Sequence, residues 1–440
     1  MESQLRRVGN SRLLAASIIA GVLLGIGVVS AAAGGPGNST TFNGCENVQA
    51  GTLRLLPNNL PPPFDACITA GNPILNQQPA LLEVPVSWNS VPPQEPQTTG
   101  VNCASGQTIS AALQAAPVHL PLTVNISGTC TESVQVRRDN VTFNAVNPGD
   151  GITAPSQTQQ ALFINGGHHI SLFGLTLTGG NGLSTTGGAG VFAMNLHITG
   201  AGTGILLTDA SSGQFFNLSV DHSGQSGAAA SSGSALSIGG GSITDSGSNG
   251  IDLQNGHAEV NNLTIARSGN MGISVRDGGS LEIQNSTVQV SGNTGIHVFN
   301  GSSANLGNGT LVTGATFGGV ISHSGDVNLQ GAHLTGNHGA GASTFAGGRL
   351  NIQGGSVIDA NDGDGVMVAG GGVASIQGQN TITKNTQAGV HLRDIAMLQL
   401  GPNASGISGN GFSPDIICDP SAVARVAGQL GTQTTNCQTS

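Results

Sequence analysis

The sequence of 440 residues contains no tyrosine, a single tryptophan and only 8% charged residues. The tryptophan, Trp88, lies outside the repeated region of the chain, so aromatic platforms for sugar rings are scarce. Basic residues number 12 against 22 acidic ones, and the formal net charge of −10 offers little attraction to nucleic acid or to an anionic membrane surface. Compact globular domains carry roughly one quarter charged residues, so this composition is untypical of them.

Motifs of several enzyme classes are also missing. The sequence contains no H-E-x-x-H, no G-x-S-x-G and no P-loop. It has no C-x-x-C either, so neither a zinc site nor redox chemistry is indicated. Because a fold does not by itself fix a function, these absences weigh against the corresponding activities.

What the sequence has in excess is glycine, with 71 residues, much of it in a repeat of about 21 to 26 residues. Clear copies occupy 268–290, 291–312 and 337–358. Each copy has a Gly-rich turn, a short apolar strand, a second turn and a second apolar run. A period of this size predicts a solenoid in which each repeat stacks on its neighbours. The predicted coil starts are Leu162, Leu183, Ile205, Ala228, Ile251, Ile273, Ile296, Val320, Ala342, Val366, Val390 and Ile416.

Alternation within the copies identifies the kind of solenoid. Apolar residues stand at i and i+2, as in 273–275 and 281–283, which is the period of a strand rather than a helix. The consensus of leucine-rich repeats is absent, and the abundance of Gly, Ser, Thr and Asn disfavours helical repeats. The prediction is a parallel β-helix of about twelve coils, about 55–60 Å long at ~4.8 Å per coil. Asn337, Asn361 and Asn385 precede coil starts at a constant offset, so we expect them to form a hydrogen-bonded ladder.

Residues 1–33 have the layout of a signal peptide. Arg6, Arg7 and Arg12 precede an apolar run from Leu13, and small residues end at Ala33. The apolar segment 13–33 is also long enough to remain as an uncleaved membrane anchor. The chain is therefore expected to be secreted or displayed on a bacterial cell surface, with membrane anchoring as the alternative.

All six cysteines lie outside the core repeats, and an even number in an exported chain favours disulfides. Fifteen pairings are possible, and the spacing suggests neighbours: Cys45–Cys67, Cys103–Cys130 and Cys418–Cys437. Each would stabilise the fold by roughly 3 kcal/mol in the chain-entropy model.

Two segments resemble known families. Region 34–100 is Pro-rich at both ends and, on Cys45, 51–54, Cys67, Glu83 and 88–89, resembles a small Cys-containing module of bacterial surface and exported proteins. That resemblance implies no activity. Residues 106–145 predict a helix over 108–116 and strands over 122–126 and 134–136, and 137–142 fits a first full turn. This resembles the entrance to right-handed parallel β-helices of the pectate-lyase-like superfamily and, with the repeats, covers 101–420. A C-terminal cap is expected over 421–440, with a helix at 421–430.

The superfamily contains polysaccharide lyases, hydrolases and epimerases. The polygalacturonase signatures and the D-P-H-E motif of mannuronan epimerases are absent. One group of candidate site residues remains, on outward positions of successive coils. Its catalytic candidates are Asp252, Arg276 and His297, and its further binding-face candidates are Asp277, His323, His391, Arg393 and Asp394. A lyase or epimerase needs a base for the C5 proton and cations for the carboxylate, so these residue types suit that chemistry. The other interpretation is that they are ordinary solvent-facing side chains.

The stretch 359–365 resembles the start of a calcium loop, with Asp359, Asp362 and Asp364 as candidate ligands. An EF-hand-type loop needs an acidic twelfth ligand, and Gly370 stands there. A polar corner in the Asn ladder is the other interpretation, and no further cofactor is indicated.

The sequence therefore predicts an exported, non-catalytic β-helix that acts as a surface scaffold or as a rod binding glycan or envelope protein. The alternative is a polysaccharide lyase or C5-epimerase acting on uronate polymers. A passive anchor or spacer held by 13–33 is a third possibility. Membrane contact is expected only through that segment.

Overall fold

The computed structural model describes residues 40–47, 52–55, 83–90, 96–401, 404–419, 423–428 and 437. The chain divides into two compact units, Met1–Gln94 and Glu95–Ser440. The predicted leader and anchor segment and Cys67 lie outside the described residues, so the leader and the Cys45–Cys67 pairing stay predictions. No helix in the described ranges has the length and apolar character needed to cross a membrane.

The first unit contains a three-stranded antiparallel sheet. Thr40–Asn47 is its central strand and pairs with Thr52–Leu55 on one side and with Glu83–Ser90 on the other. The second unit begins with Gln97–Asn102, which pairs in parallel with Leu122–Ser127. The boundary between the two units, after Gln94, therefore falls slightly before the boundary at residue 101 that the sequence analysis predicts.

The second unit is built from two long parallel sheets. Sheet 1 has 13 strands, one per coil. They are Val134–Val136, Gln160–Asn165, Asn181–Thr186, Ile205–Leu207, Ala228–Ser231, Ile251–Gln254, Ile273–Arg276, Thr294–Phe299, Gly318–His323, Ala340–Phe345, Val366–Val368, Val390–Leu392 and Ile416–Cys418.

Sheet 2 has 25 strands and winds around the rest of each coil. Its strands are Gln97–Asn102, Leu122–Ser127, Thr129–Thr131, Val141–Ala145, Gly151–Thr153, Ile170–Phe173, Thr176–Thr178, Gly190–Met194, His197–Thr199, Ser212–Asp221, Ala235–Thr244, His257–Ala266, Ser280–Gln284, Thr287–Gln289, Ser303–Leu306, Leu311–Thr313, Asp326–Gln330, His333–Thr335, Arg349–Gln353, Val357–Asp359, Val373–Ile376, Gln379–Thr383, Ile395–Leu400, Ser405–Ile407 and Val423–Gly428. Most coils contribute two strands to it, separated by a corner residue with positive φ such as Asn285 (φ 47°).

The predicted coil starts are confirmed. All twelve lie in one column of sheet 1, from the pair Leu162–Leu183 to the pair Val390–Ile416. Val134 pairs with Leu162 and extends that column to 13 coils. Gln97–Asn102 and Leu122–Ser127 extend sheet 2 beyond it, so the solenoid has about 14 turns rather than twelve. The column points inward, and residues such as Leu183 and Ile251 are fully buried. Burying each such side chain contributes about 1.5–3 kcal/mol, which gives the coils their common core.

The described residues contain one α-helix, Ile109–Ala115, where the sequence predicts 108–116. Thr108 caps it by accepting a hydrogen bond from the Ala111 amide. The Glu132 carboxylate accepts hydrogen bonds from the backbone amides of Ile109 (2.6 Å) and Ser110 (3.0 Å), which suits the positive end of the helix dipole. Ile109 is fully buried against the first coils.

The asparagine ladder is also present. Asn337 Nδ2 donates to Asn361 Oδ1 and Asn361 Nδ2 donates to Asn385 Oδ1, both at 2.9 Å. Asn410 continues the column by accepting from Asn385 Nδ2 at 2.9 Å. Each amide group thus satisfies backbone and side-chain groups of the neighbouring coil.

The C-terminal end differs from its prediction. The disulfides Cys103–Cys130 and Cys418–Cys437 are formed as predicted. The helix expected over 421–430 is wrong, because Val423–Gly428 is a strand that pairs in parallel with Ile395–Leu400. The last strand of the sheet offers unpaired amides and carbonyls, and satisfying them outweighs the local helix preference of the alanines.

Candidate functional site

The predicted catalytic face lies on the outer side of sheet 1. There Arg276 donates two hydrogen bonds to the Asp252 carboxylate, from Nη2 to Oδ2 at 3.0 Å and from Nε to Oδ1 at 3.3 Å. The Asp252 carboxylate raises the pKa of the Arg276 guanidinium, against the opposing effect of burial. A second carboxylate, on Asp277, lies 3.7 Å from Arg276 Nη1. The cation is therefore already neutralised by the protein's own carboxylates.

Asp277 occupies a left-handed corner, with φ of 57°. Its carboxylate accepts hydrogen bonds from Gln254 Nε2 (3.1 Å) and Asn300 Nδ2 (3.0 Å). These bonds tie together three coils. These bonds hold the Asp277 side chain at the corner, and its carboxylate is therefore not available to a ligand cation.

His297 lies two coils beyond Asp252 in the same outward column, with Ser274 between them. Its ring packs on Phe299, with centroids 4.7 Å apart, and stacks on His323 at 6.4 Å. Burial, reinforced by His323, lowers the pKa of His297 to about 4. Its Nε2 is buried and has no hydrogen-bond partner among the described residues. The structure therefore assembles the Asp252–Arg276 pair but leaves the candidate base apart from it.

His391 is buried, which corrects its predicted place on a binding face. Its Nδ1 lies 3.1 Å from Asp364 Oδ2 and its Nε2 lies 2.9 Å from Asp419 Oδ1. The hydrogen bond to Asp364 is the main cause of a raised pKa of His391, and Asp419 adds to it. Arg393 and Asp394 are exposed beside this cluster, and Arg393 Nε lies 3.9 Å from Asp419 Oδ2. His391 thus joins Asp364 and Asp419, which belong to the neighbouring coils, at the C-terminal end of sheet 1.

The predicted calcium ligands do not converge. Asp359 pairs with His333 at 2.8 Å, Asp362 with His338 at 2.8 Å, and Asp364 with His391. Within the described ranges, no group of three or more His, Cys, Asp or Glu side chains could hold a metal ion. Each carboxylate instead pairs with a histidine from another coil, and the intervening Asn361 is committed to the buried ladder. These contacts favour the interpretation as a polar corner, and a calcium site stays a prediction.

A groove that the sequence analysis does not predict lies on the outer face of sheet 2. It has a volume of about 380 Å³ and crosses three coils. Seven of its nine lining residues are of polar or charged type, and the lining residues are Ser303, Ala304, Asn305, Asp326, Val327, Asn328, Arg349, Asn351 and Gln353. We call it the amide groove.

Strand register explains how the amide groove forms. Asn305, Asn328 and Asn351 stand in one outward column. Asp326 and Arg349 stand opposite each other in the next outward column, after Ser303. The sequence signal is the recurrence of S-A-N, D-V-N and R-L-N at the start of three successive strands. Alternation places the first and third residue of each triplet outside and buries the middle one.

The chemistry of the amide groove suits hydroxyl-bearing ligands. Each amide offers donors and acceptors, and Gln353 Nε2 already donates to Asn328 Oδ1 at 3.0 Å. No ion pair within 4.0 Å joins Asp326 or Arg349 to a described residue, although they are neighbours in register. The groove thus presents one available carboxylate, one available guanidinium and a row of amides.

Comparison with known proteins concerns the solenoid. Residues 203–357 and 249–404 match the family described as "Right handed beta helix region". Among curated proteins none matches the sequence significantly.

Solved structures of similar shape include the Dettilon tailspike protein, at 14% identity and TM-score 0.44 over 60% of each chain. They also include the A-module of a mannuronan C-5 epimerase from Azotobacter vinelandii, at 15% identity and TM-score 0.46, over 75% of this chain and 94% of that one. A pectate lyase matches at 12% identity and TM-score 0.26, over 79% and 78% of the chains. At these identities and scores, the likeness says nothing about activity.

The family match and the coil-by-coil parallel register agree with the resemblance found in the sequence. The chain therefore has the right-handed parallel β-helix fold, and its part from 203 to 404 matches the family described for that fold.

Proposed function

We propose that the chain is an exported, non-catalytic β-helix rod that binds glycan through the amide groove. The observation that carries this proposal is the groove itself, with three aligned asparagines beside an unpaired Asp326 and Arg349. Sugar hydroxyls both donate and accept hydrogen bonds, as primary amides do. Columns of amides repeat at ~4.8 Å along the rod, so the groove can contact successive sugar units of a chain.

Export is supported by disulfides and by the sequence of the N-terminus. Cys103–Cys130 and Cys418–Cys437 are both formed, and disulfides persist in oxidising compartments. The segment 1–33 has the layout of a leader. Amino-terminal sequencing of the exported protein distinguishes cleavage from retention of 13–33 as an anchor.

The alternative function is a lyase or epimerase on the face of sheet 1. One observation favours it, namely the neutral His297 on that face. The burial that lowers the pKa of His297 to about 4 also makes this imidazole a weak base, however. Against it, Arg276 is engaged by Asp252 and Asp277 and is therefore a poor partner for a uronate carboxylate. Incubation with polyuronates tests this alternative through the absorbance of unsaturated products and through proton exchange at C5. Activity that disappears in Arg276→Ala would overturn the non-catalytic proposal.

Glycan binding is tested by affinity electrophoresis in gels that contain a panel of soluble polysaccharides. We expect at least one polysaccharide to retard the protein, and the Asn328→Ala/Asn351→Ala variant to bind about tenfold more weakly because two hydrogen-bonding groups are lost. Gln399→Ala is the matched control, since Gln399 is exposed in the same outward column but lies two coils beyond the groove, on the side away from Ser303. Equal retardation of both variants and the wild type would contradict the proposal.

A further inference from the structure

A second feature occupies the same outer face of sheet 2, in earlier coils. Phe173, Phe192 and Phe216 form a ladder of tilted rings, with centroids 5.9 Å apart for the first pair and 5.7 Å for the second. Met194 lies in the same patch, and it and Phe216 are 40% and 41% exposed. We call these four residues the phenylalanine platform. Large apolar side chains clustered on a solvent face mark a contact site rather than a core.

The platform is held in a fixed geometry. Phe216 pairs in register with Gly239 on the next coil. A Cβ atom at Gly239 would lie 2.7 Å from Phe216 Cδ1, so the ring lies directly over the glycine. Any larger residue at 239 would push the ring away. The ring face is therefore preorganised before any ligand arrives, which reduces the entropy lost on binding.

The platform and the amide groove belong to one continuous track. Gln214, beside the rings, shares an outward column with Ser237, Glu259, Glu282 and Asn305. Four strand spacings at ~4.8 Å separate Gln214 from Asn305, which is about 19 Å along the rod axis. An extended polymer lying along this column would touch the rings at one end and the amides at the other.

Charge along the track restricts the class of polymer. Glu259 and Glu282 are both exposed between the two sites, and Asp326 adds a third carboxylate in the groove. The only arginine on the track is Arg349, and His257 is already shared with Glu259 at 3.6 Å. A polyuronate would place its carboxylates against this excess of negative charge, which costs binding free energy.

We propose that the ligand is a neutral polysaccharide that runs along the rod axis, stacks a sugar ring on the phenylalanine platform and hydrogen-bonds in the amide groove. This inference rests on the proposed glycan binding and deepens it. A pyranose ring presents C–H groups on its faces and hydroxyls at its rim. The faces suit the flat, exposed Phe216 ring, and the rim suits Gln214 and the amides beyond it.

Isothermal titration with oligosaccharides of equal length tests the ligand class. The probes are neutral xylo-, gluco- and manno-oligosaccharides and, against them, oligogalacturonate and oligomannuronate. We expect at least one neutral series to bind and both uronates to bind at least tenfold more weakly at low salt. The Glu259→Gln/Glu282→Gln variant should narrow this difference in affinity, because uronate binding should strengthen by more than neutral binding changes. Tighter binding of a uronate by the wild type would overturn the proposal.

The platform is tested on the same neutral ligand. Phe216→Ala should weaken binding about tenfold, and Phe216→Leu should recover only a small part, because leucine restores apolar area but not a flat ring face. Phe317→Ala is the control, since Phe317 is 71% exposed and lies off the track. Thermal unfolding of each variant verifies that it is folded.

The outcomes separate the two proposals. Loss of binding in Asn328→Ala/Asn351→Ala with none in Phe216→Ala would retain the groove and overturn the platform. Full binding by Phe216→Leu would also overturn it, since that result indicates apolar docking of the kind that a protein partner makes. Absence of binding to every glycan would overturn both the proposed function and this inference.

Discussion

At the scale of single residues, one buried column changes its chemistry along the rod. Ser223, Ser246, Ser268 and Ser291 occupy it in the earlier coils, and their hydroxyls are buried without a hydrogen-bond partner among the described residues. Asparagines occupy it from Asn337 onward, and their amides bridge adjacent coils. The longer amide reaches groups that the serine hydroxyl does not. The column therefore contributes more hydrogen bonding to the C-terminal coils.

Asn361→Ala tests that contribution. Asn361 Nδ2 donates to Leu334 O and to Asn385 Oδ1, and its Oδ1 accepts from Asn337. The substitution removes a fully buried amide and leaves its hydrogen-bond partners in the neighbouring coils unsatisfied. We therefore expect the free energy of unfolding to fall by about 3 kcal/mol in urea titrations. Asn351→Ala, at an exposed position, should change it by no more than about 0.5 kcal/mol. Equal effects of both substitutions would contradict a stabilising ladder.

His391 predicts a pH dependence of stability. Its pKa is raised by Asp364 and Asp419 and is opposed by burial and by Arg393. The imidazolium is therefore favoured in the folded state, and its stabilisation is fully present below the unfolded pKa of about 6.5. It is lost as the pH rises through the higher folded pKa. The difference in Tm between the wild type and His391→Gln should accordingly shrink from pH 6 to pH 9. A difference that grows over this range would contradict the assigned pairing.

At the scale of elements, some strands of sheet 2 continue through the corner that separates two strands in most other coils. Ser212–Asp221 and Ala235–Thr244 are paired residue by residue on both sides of this corner. Gly241 permits the close stacking there, with a φ of 118°. A Cβ at that position would lie 1.9 Å from Leu218 O.

Gly241→Ala should therefore be strongly destabilising. Both the positive φ and the backbone clash oppose a side chain, so we expect a loss of at least about 2 kcal/mol in unfolding free energy. Gly100→Ala is the control, because a Cβ there meets nothing within 4 Å. The comparison is made by urea unfolding, and a Gly241→Ala variant as stable as the control would show that the two coils can separate at this corner.

The elements also show what the sequence can predict. Inward residues at i and i+2 are dictated by burial, so coil starts such as Ile251 and Val390 could be placed to the residue. The strand Val423–Gly428 was missed because its alanines favour a helix locally, and its parallel pairing with Ile395–Leu400 shows only once the coils are stacked. The amide groove was missed because Asn305 and Asn328 resemble any solvent-facing residues until the coils are stacked. His391 also follows the outward pattern, and its burial depends on Asp364 and on Asp419, which follows the last strand of sheet 1.

At the scale of the whole molecule, the rod separates two faces with different properties. The outer face of sheet 1 has its charges paired, as in Arg276 with Asp252. The outer face of sheet 2 carries unpaired polar groups in the amide groove and exposed rings on the phenylalanine platform. Because the coils fix both faces rigidly, a ligand that recognises one face leaves the other open to solvent. We therefore expect glycan on sheet 2.

Hydroxyl-radical footprinting with and without a neutral glycan tests this central claim most directly, because it reports which side chains the ligand covers. The account predicts that Met194, Phe216 and Arg349 lose oxidation as the glycan is added, while Phe299 and His323 on sheet 1 keep theirs. Protection of Phe299 and His323 with none at Met194, Phe216 and Arg349 would contradict it and would place the ligand on the face of Asp252 and His297.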